Sequence, residues 1–130
     1  MGMRYFCRLS YDGSKFYGWQ HQPDRPNVQD AIERSLKTFY RLPIAVTGCG
    51  RTDTGVHAKD YMLHFDLEEA FKQDDLRGLN AILPKSIVLH EIFQVPEDAH
   101  ARYAAYSRSY TYYIESKKNP FTLAFSYQYY

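Results

Sequence analysis

Apolar residues alternate along the first stretch of the chain. Met3, Tyr5, Cys7, Leu9 and Tyr11 fall on one side, with arginines among the positions opposite. A period of two is the mark of a half-buried strand, and Asp12-Gly13 reads as the turn that ends it. The following SKFYGWQHQPDRP contains a glycine and two prolines and reads as a loop. At Asn27 the period changes. Val28, Ala31, Ile32, Leu36 and Phe39 form one helical stripe, with Asn27 placed as N-cap, Asp30 three residues on, and Pro43 as the stop. Ile44–Thr47 predicts a short strand. DYMLHFDLE returns to alternation, with Tyr61, Leu63, Phe65 and Leu67 sharing a face. A short helix is expected from Asp74 to Leu83, turning Leu76, Leu79 and Leu83 inward until Pro84 ends it. Strands are expected at Ile87–Val95 and in RSYTYYIES, where Ser109, Thr111 and Tyr113 oppose Tyr110, Tyr112 and Ile114.

The resulting order, β-α-β-loop-β-α-β-β, has few helices and wide spacing. It predicts an α+β fold of ferredoxin-like type, an antiparallel or mixed sheet with helices packed on one face. Residues 1–130 make a single domain, large enough to bury roughly two-thirds of its unfolded surface. The last ten residues, FTLAFSYQYY, stay apolar and strand-prone to the end, where native termini usually fray into polar residues. The expectation is therefore the N-terminal part of a longer, two-half protein.

Composition changes this picture only in part. Thirteen tyrosines stand against one tryptophan. That suits a surface that binds flat, polar groups, and equally an interface or a tyrosine-rich core. Net charge is +1, but its distribution is uneven: residues 1–59 carry nine basic and five acidic side chains, 60–98 three and nine, 99–130 four and one. A polyanion should meet the two ends and avoid the middle, although a solvated acidic helix would give the same skew. Cys7, Cys49 and five histidines show no ligand spacing, so no metal site is expected. With no charged-then-apolar leader and no long apolar run, the expectation is a cytoplasmic, non-membrane protein with two reduced thiols.

The stretch GCGRTDTGVHA, Gly48–Ala58, sets Asp53 among an arginine, a histidine and three glycines. It is not a dinucleotide fingerprint, because Asp53 occupies the position of the third glycine. It is not a phosphate loop either, since the chain contains no Gly-Lys pair. Arg51 and Asp53 are two apart, so in an extended loop they point the same way and can pair. The guanidinium fork would then hold the carboxylate ionised and oriented, as a nucleophilic aspartate requires. The plainer reading is a turn with a surface ion pair worth about 0.5 kcal/mol. Residue types alone leave both open.

The same stretch closely resembles the G-R-T-D-A-G-V-H signature of the tRNA pseudouridine synthase A (TruA) family, with Thr54 where alanine is commoner. Three further segments are similar to that family in the same order: YDGSKFYGWQ (Tyr11–Gln20), LNAILP (Leu79–Pro84) and HARYAAYSRSYTYYI (His100–Ile114). Together they span nearly the whole chain.

The resemblance implies half of a pseudouridine synthase fold that isomerises uridine in the anticodon stem-loop of tRNA. It implies no cofactor or metal, a homodimer, and a cleft between two similar halves. It places Asp53 at the catalytic aspartate and Arg51 at the arginine that orients it. Tyr110 falls on the tyrosine that stacks on the target base, and Arg102 and Arg108 on arginines that contact phosphate or support the site. Where the family often has two adjacent basic residues, this chain has Arg108 followed by Ser109. The uridine must leave its stack to reach the acid, at a cost of a few kcal/mol. The loop glycines then admit RNA without side-chain collisions. The chain alone, as one half, should be weak or inactive. The competing class is a non-catalytic RNA-binding module, and a more distant one an aspartate-nucleophile hydrolase.

Overall fold

A computed structural model describes residues 2–102. The expected strand and base-contacting residues at 108–116 lie outside them, including Arg108 and Tyr110. Seven elements follow one another. They are β1 (Met3–Tyr11), a 3-10 turn (Gly13–Lys15), α1 (Val28–Tyr40), β2 (Thr47–Gly48), β3 (Ala58–Leu67), α2 (Gln73–Ile82) and β4 (Ile87–Val95). The sheet order is β2-β3-β1-β4, and every neighbouring pair is antiparallel. Each helix therefore crosses over one intervening strand, which is the split βαβ of a ferredoxin-like α+β fold.

The periodicities explain this assembly. β1 pairs with β3 from Met3↔Leu67 to Leu9↔Tyr61, which brings their odd-numbered apolar residues onto one face. Tyr5, Cys7, Leu9, Tyr61, Leu63 and Phe65 are buried there beneath Val28, Ile32 and Leu36 of α1 and Leu79 of α2. The α1 stripe is close to solvent-free, with Val28, Ile32 and Leu36 at most 1% exposed. At roughly 1.5–3 kcal/mol for each such side chain, packing outweighs capping in fixing α1. The cap is nonetheless made: Asn27 Oδ1 accepts the Asp30 amide at 2.8 Å. At the other end Arg41 turns left-handed (φ 61°), two residues before Pro43.

One expected strand is displaced. Ile44 and Val46 are buried, but only Thr47 and Gly48 pair with β3. The Val46 amide is instead taken by the Glu33 carboxylate of α1 at 3.0 Å. Alternating burial at 44 and 46 thus reports core packing rather than a ladder.

The helix-free face of the sheet has its own smaller cluster, Phe6, Met62 and the fully buried Ala101, with Cys49, Phe93, Val95 and Ala99 partly buried around it. The segment after β4 folds back over this face, carrying Arg102 with it.

Candidate active site

The loop that carries Arg51 and Asp53 joins β2 to β3 and lies against the loop that follows β1. Two glycines make the contact possible. A Cβ on Gly13 would come within 1.9 Å of the Val56 carbonyl oxygen. At Gly18, whose φ is +85°, it would sit 2.5 Å from the Thr52 oxygen. Backbone touches backbone there, so YDGSKFYGWQ and GCGRTDTGVHA form one unit although 27 residues of sequence separate them. The Trp19 amide donates to Thr52 O (3.2 Å) and the Gly55 amide to Phe16 O (3.2 Å).

Three aromatic rings underlie this unit. Trp19 packs on Tyr61 with centroids 4.5 Å apart, and Tyr11 meets Tyr61 edge-on at 5.6 Å. Their polar tips reach into the loop: Tyr11 Oη and Thr52 Oγ1 are 2.8 Å apart, and Tyr61 Oη donates to the Gly50 carbonyl while accepting its amide at 3.3 Å. Burial raises the Tyr61 phenol well above its usual range, so it remains a donor at any ordinary pH. Trp19 is core, not surface.

Above this base the loop is open. Arg51 and Asp53 are both exposed. Among the described residues neither side chain makes an ion pair or hydrogen bond, and the Arg51–Asp53 pairing that their spacing allows is not formed. Only backbone fixes Asp53, whose carbonyl accepts the Val56 amide at 3.1 Å. The glycines divide into different jobs. Gly55 holds a positive φ (+79°), and a Cβ at Gly50 would meet nothing within 4 Å. Gly48, by contrast, is a packing glycine, because a Cβ there would strike Tyr61 Oη at 2.0 Å and Trp19 at 2.7 Å. The expectation that the loop glycines are bare for an incoming ligand therefore fits Gly50 and fails at Gly48.

Asp12 serves the turn. Its Oδ1 accepts the Ser14 amide at 3.0 Å, and hydrogen bonding from the Ser14 side chain and then this amide, followed by the nearby His57, holds its carboxyl below the usual range. His57 Nδ1 lies 3.1 Å from the Gly13 amide and 3.0 Å from Asp12 Oδ1, so it ties the two loops together from the side. It belongs to the scaffold of the loop.

Arg102 is exposed and begins where the helix-free cluster ends. The preceding Ala101 belongs to that cluster, while Cys49 at the loop stem packs both on it and on the helix-side core that holds Tyr11, Trp19 and Tyr61. A cleft of about 720 Å³ on the helix side is lined by Lys15, Arg25, Arg34 and Ile82 among others. Arg51, Asp53 and Arg102 take no part in it.

Comparison with models of known protein families finds no match. Individual relatives do match. The chain is 47% identical to tRNA pseudouridine synthase A of Parabacteroides distasonis over 122 residues, 91% of this chain and 48% of the relative. It is 42% identical to the enzyme of that name from Bacteroides thetaiotaomicron, covering 98% of this chain and 48% of the relative. With that from Aquifex aeolicus it shares 40% identity, over 95% and 53% respectively. The chain belongs to the tRNA pseudouridine synthase A family. It spans about half the length of these relatives. No helix among its described residues is long and apolar enough to cross a membrane.

For a chain of this family, the scaffold around Asp53 includes residues the sequence did not single out. Tyr61 read as an ordinary inward residue of an alternating strand, and Tyr11 likewise. Nothing in a period of two says that a phenol at the strand's end will reach a loop backbone. His64 is the other omission. On the opposite face of β3 from Leu63 and Phe65, it is 6% exposed and accepts the Ala101 amide at 3.1 Å.

Proposed function

We propose that this chain is one half of a tRNA pseudouridine synthase, with Asp53 as its catalytic aspartate and uridines of the tRNA anticodon stem-loop as its substrate. The observation that carries the reading is an exposed carboxylate that has no side-chain partner among the described residues, set on a loop held from beneath by Tyr11, Trp19 and Tyr61. Such an acid is fixed in place yet open to an extruded nucleotide.

The reaction breaks the N1–C1′ bond of uridine and forms C5–C1′ with the same ring. N1 gains a proton, C5 loses one, and there is no net oxidation. Asp53 attacks C1′ or C6, or stabilises the departing uracil; the proposal covers all three. Arg51 orients the carboxylate once RNA is present, Tyr110 stacks on the base, and Arg102 and Arg108 contact phosphate or support the site. Stacking typically returns ~1–3 kcal/mol per base against the cost of unstacking. The second half of the enzyme completes the cleft, and two such enzymes form a homodimer that the tRNA spans in the cytoplasm.

An anticodon-arm transcript tests this reading. The complete two-half enzyme should isomerise its uridines, and a transcript with those uridines replaced by cytidine should yield no pseudouridine. Residues 1–130 alone should bind weakly and turn over little. A rate from the half near that of the complete enzyme would contradict the two-half arrangement. Binding without any isomerisation by the complete enzyme would favour a non-catalytic RNA-binding module.

A further inference from the structure

We infer that His64 and Arg4 are positioning residues for the proposed isomerisation: they pin the backbone at Ala99 and Ala101, and so set where Arg102 leaves the sheet. The inference rests on the functional reading above and adds a role that Asp53 and its loop do not supply.

Two adjacent strands provide the pins. Arg4 of β1 donates from Nη1 to the Ala99 carbonyl at 2.8 Å. His64 of β3 accepts the Ala101 amide on Nδ1 at 3.1 Å. Two backbone atoms two residues apart are thereby tied to neighbouring strands, which fixes the direction of the chain as it reaches Arg102. Ala101 has no exposed surface and packs on Phe6 and Met62, so the tie lies inside a dry contact.

Each pin is itself held. Arg4 forms a fork to Asp66, Nε–Oδ1 2.9 Å and Nη2–Oδ2 3.2 Å, and Asp66 faces it directly across the β1–β3 ladder. The His64 ring lies against Phe6, its own cross-strand partner, at 6.3 Å between centroids, with the edge of His100 at 4.6 Å. Burial, with a smaller push from Arg4, drives the His64 pKa down to about 4 and keeps Nδ1 an acceptor. A leucine would fill this site at a lower desolvation cost. What histidine adds is the acceptor, and the Ala101 amide uses it. Cys49, at the stem of the Asp53 loop, packs on this cluster as well as on the helix-side core, so the pinned segment and the loop stem contribute to one cluster.

The test uses the complete enzyme with His64→Leu, which keeps bulk and removes the acceptor, and His64→Asn, whose Oδ1 can replace Nδ1. Hydrogen exchange at the Ala101 amide should speed up in His64→Leu and stay slow in His64→Asn, a readout independent of turnover. His64→Leu should lower kcat/KM by roughly 10–100-fold, as small misplacements of site groups do. His64→Asn should restore it. In an Arg102→Ala background His64→Leu should add little, because it acts through Arg102. Full additivity with Arg102→Ala, or an unchanged rate in His64→Leu, would overturn the inference. Should His64→Leu fail to fold, Arg4→Gln carries the same cycle from the other pin, with the same outcomes deciding. An inactive parent enzyme would sink the functional reading and this role together. An active parent whose Ala101 amide exchanges equally fast in both His64 variants would sink the positioning role alone.

Discussion

The Tyr61 hydroxyl grips Gly50 at both backbone groups, donating to its carbonyl and accepting its amide. Gly50 immediately precedes Arg51, so this phenol of β3, like that of Tyr11 at Thr52, links the sheet to the candidate site. Tyr61→Phe keeps the ring packed on Trp19 but leaves a carbonyl and an amide without their partner. The expected loss is about 1–3 kcal/mol of stability if those groups stay dry, and less if water replaces the phenol. Thermal unfolding reads the first effect. The second is a fall in kcat larger than any change in tRNA affinity, since the loop would loosen around Asp53 while its charges remain.

Glycine substitutions should separate scaffold from open surface. Gly13→Ala and Gly18→Ala each drive a methyl group into backbone of the Asp53 loop, at 1.9 Å and 2.5 Å before any relaxation. Neither contact can be relieved by rotating a side chain. A loss of about 1–3 kcal/mol is expected for each, with Gly18→Ala carrying an added penalty for its positive φ. Gly50→Ala meets nothing within 4 Å, and its stability should change by no more than about 0.5 kcal/mol. Denaturant melts of the three variants decide. A Gly50→Ala protein that melts like the parent but binds RNA more weakly would mark Gly50 as a point of RNA approach.

His64 gives the fold a defined acid sensitivity. Its pKa is depressed in the folded protein to about 4, against an ordinary value near 6.5. Between those values the unfolded chain binds the proton more readily, so stability rises with pH. The contribution is fully present above pH ~6.5 and is lost as pH falls through about 4, on the order of 3 kcal/mol in all. Asp12 and Asp66, whose carboxyl groups are held below their usual range by Ser14 and Arg4, add a loss of the same sign at lower pH. Unfolding free energies from pH 8 to 4 should therefore slope downward, and His64→Asn should flatten the slope above pH 4.

Much of this architecture was legible in the chain because periodicity maps directly onto burial. β1 and β3 fall where alternation places them, β4 over the expected Ile87–Val95, and α1 where its stripe and Asn27 do. β2 misled because Ile44 and Val46 are buried by α1 and paired with no strand, and a period of two cannot tell those causes apart. The second helix begins at Gln73, one residue before Asp74, where Asp75 accepts the Lys72 amide at 3.1 Å. The Asp53 loop was visible as a motif, but its support was not. The meetings of Gly13 with Val56 and Gly18 with Thr52 join distant segments, and such contacts leave no local signal. The Arg51–Asp53 pair was a fair inference from spacing, yet in an exposed loop its small gain does not hold two side chains together.

The most direct measurement is single-turnover isomerisation by the complete enzyme, parent against Asp53→Asn, using tRNA with tritium at C5 of the anticodon-arm uridines and saturating enzyme. Excess enzyme separates chemistry from binding. Asp53 is exposed and tied into no described side-chain network, so the substitution should leave folding and tRNA affinity close to those of the parent. Tritium release should fall to background. Release from Asp53→Asn at a rate near the parent's would contradict the account.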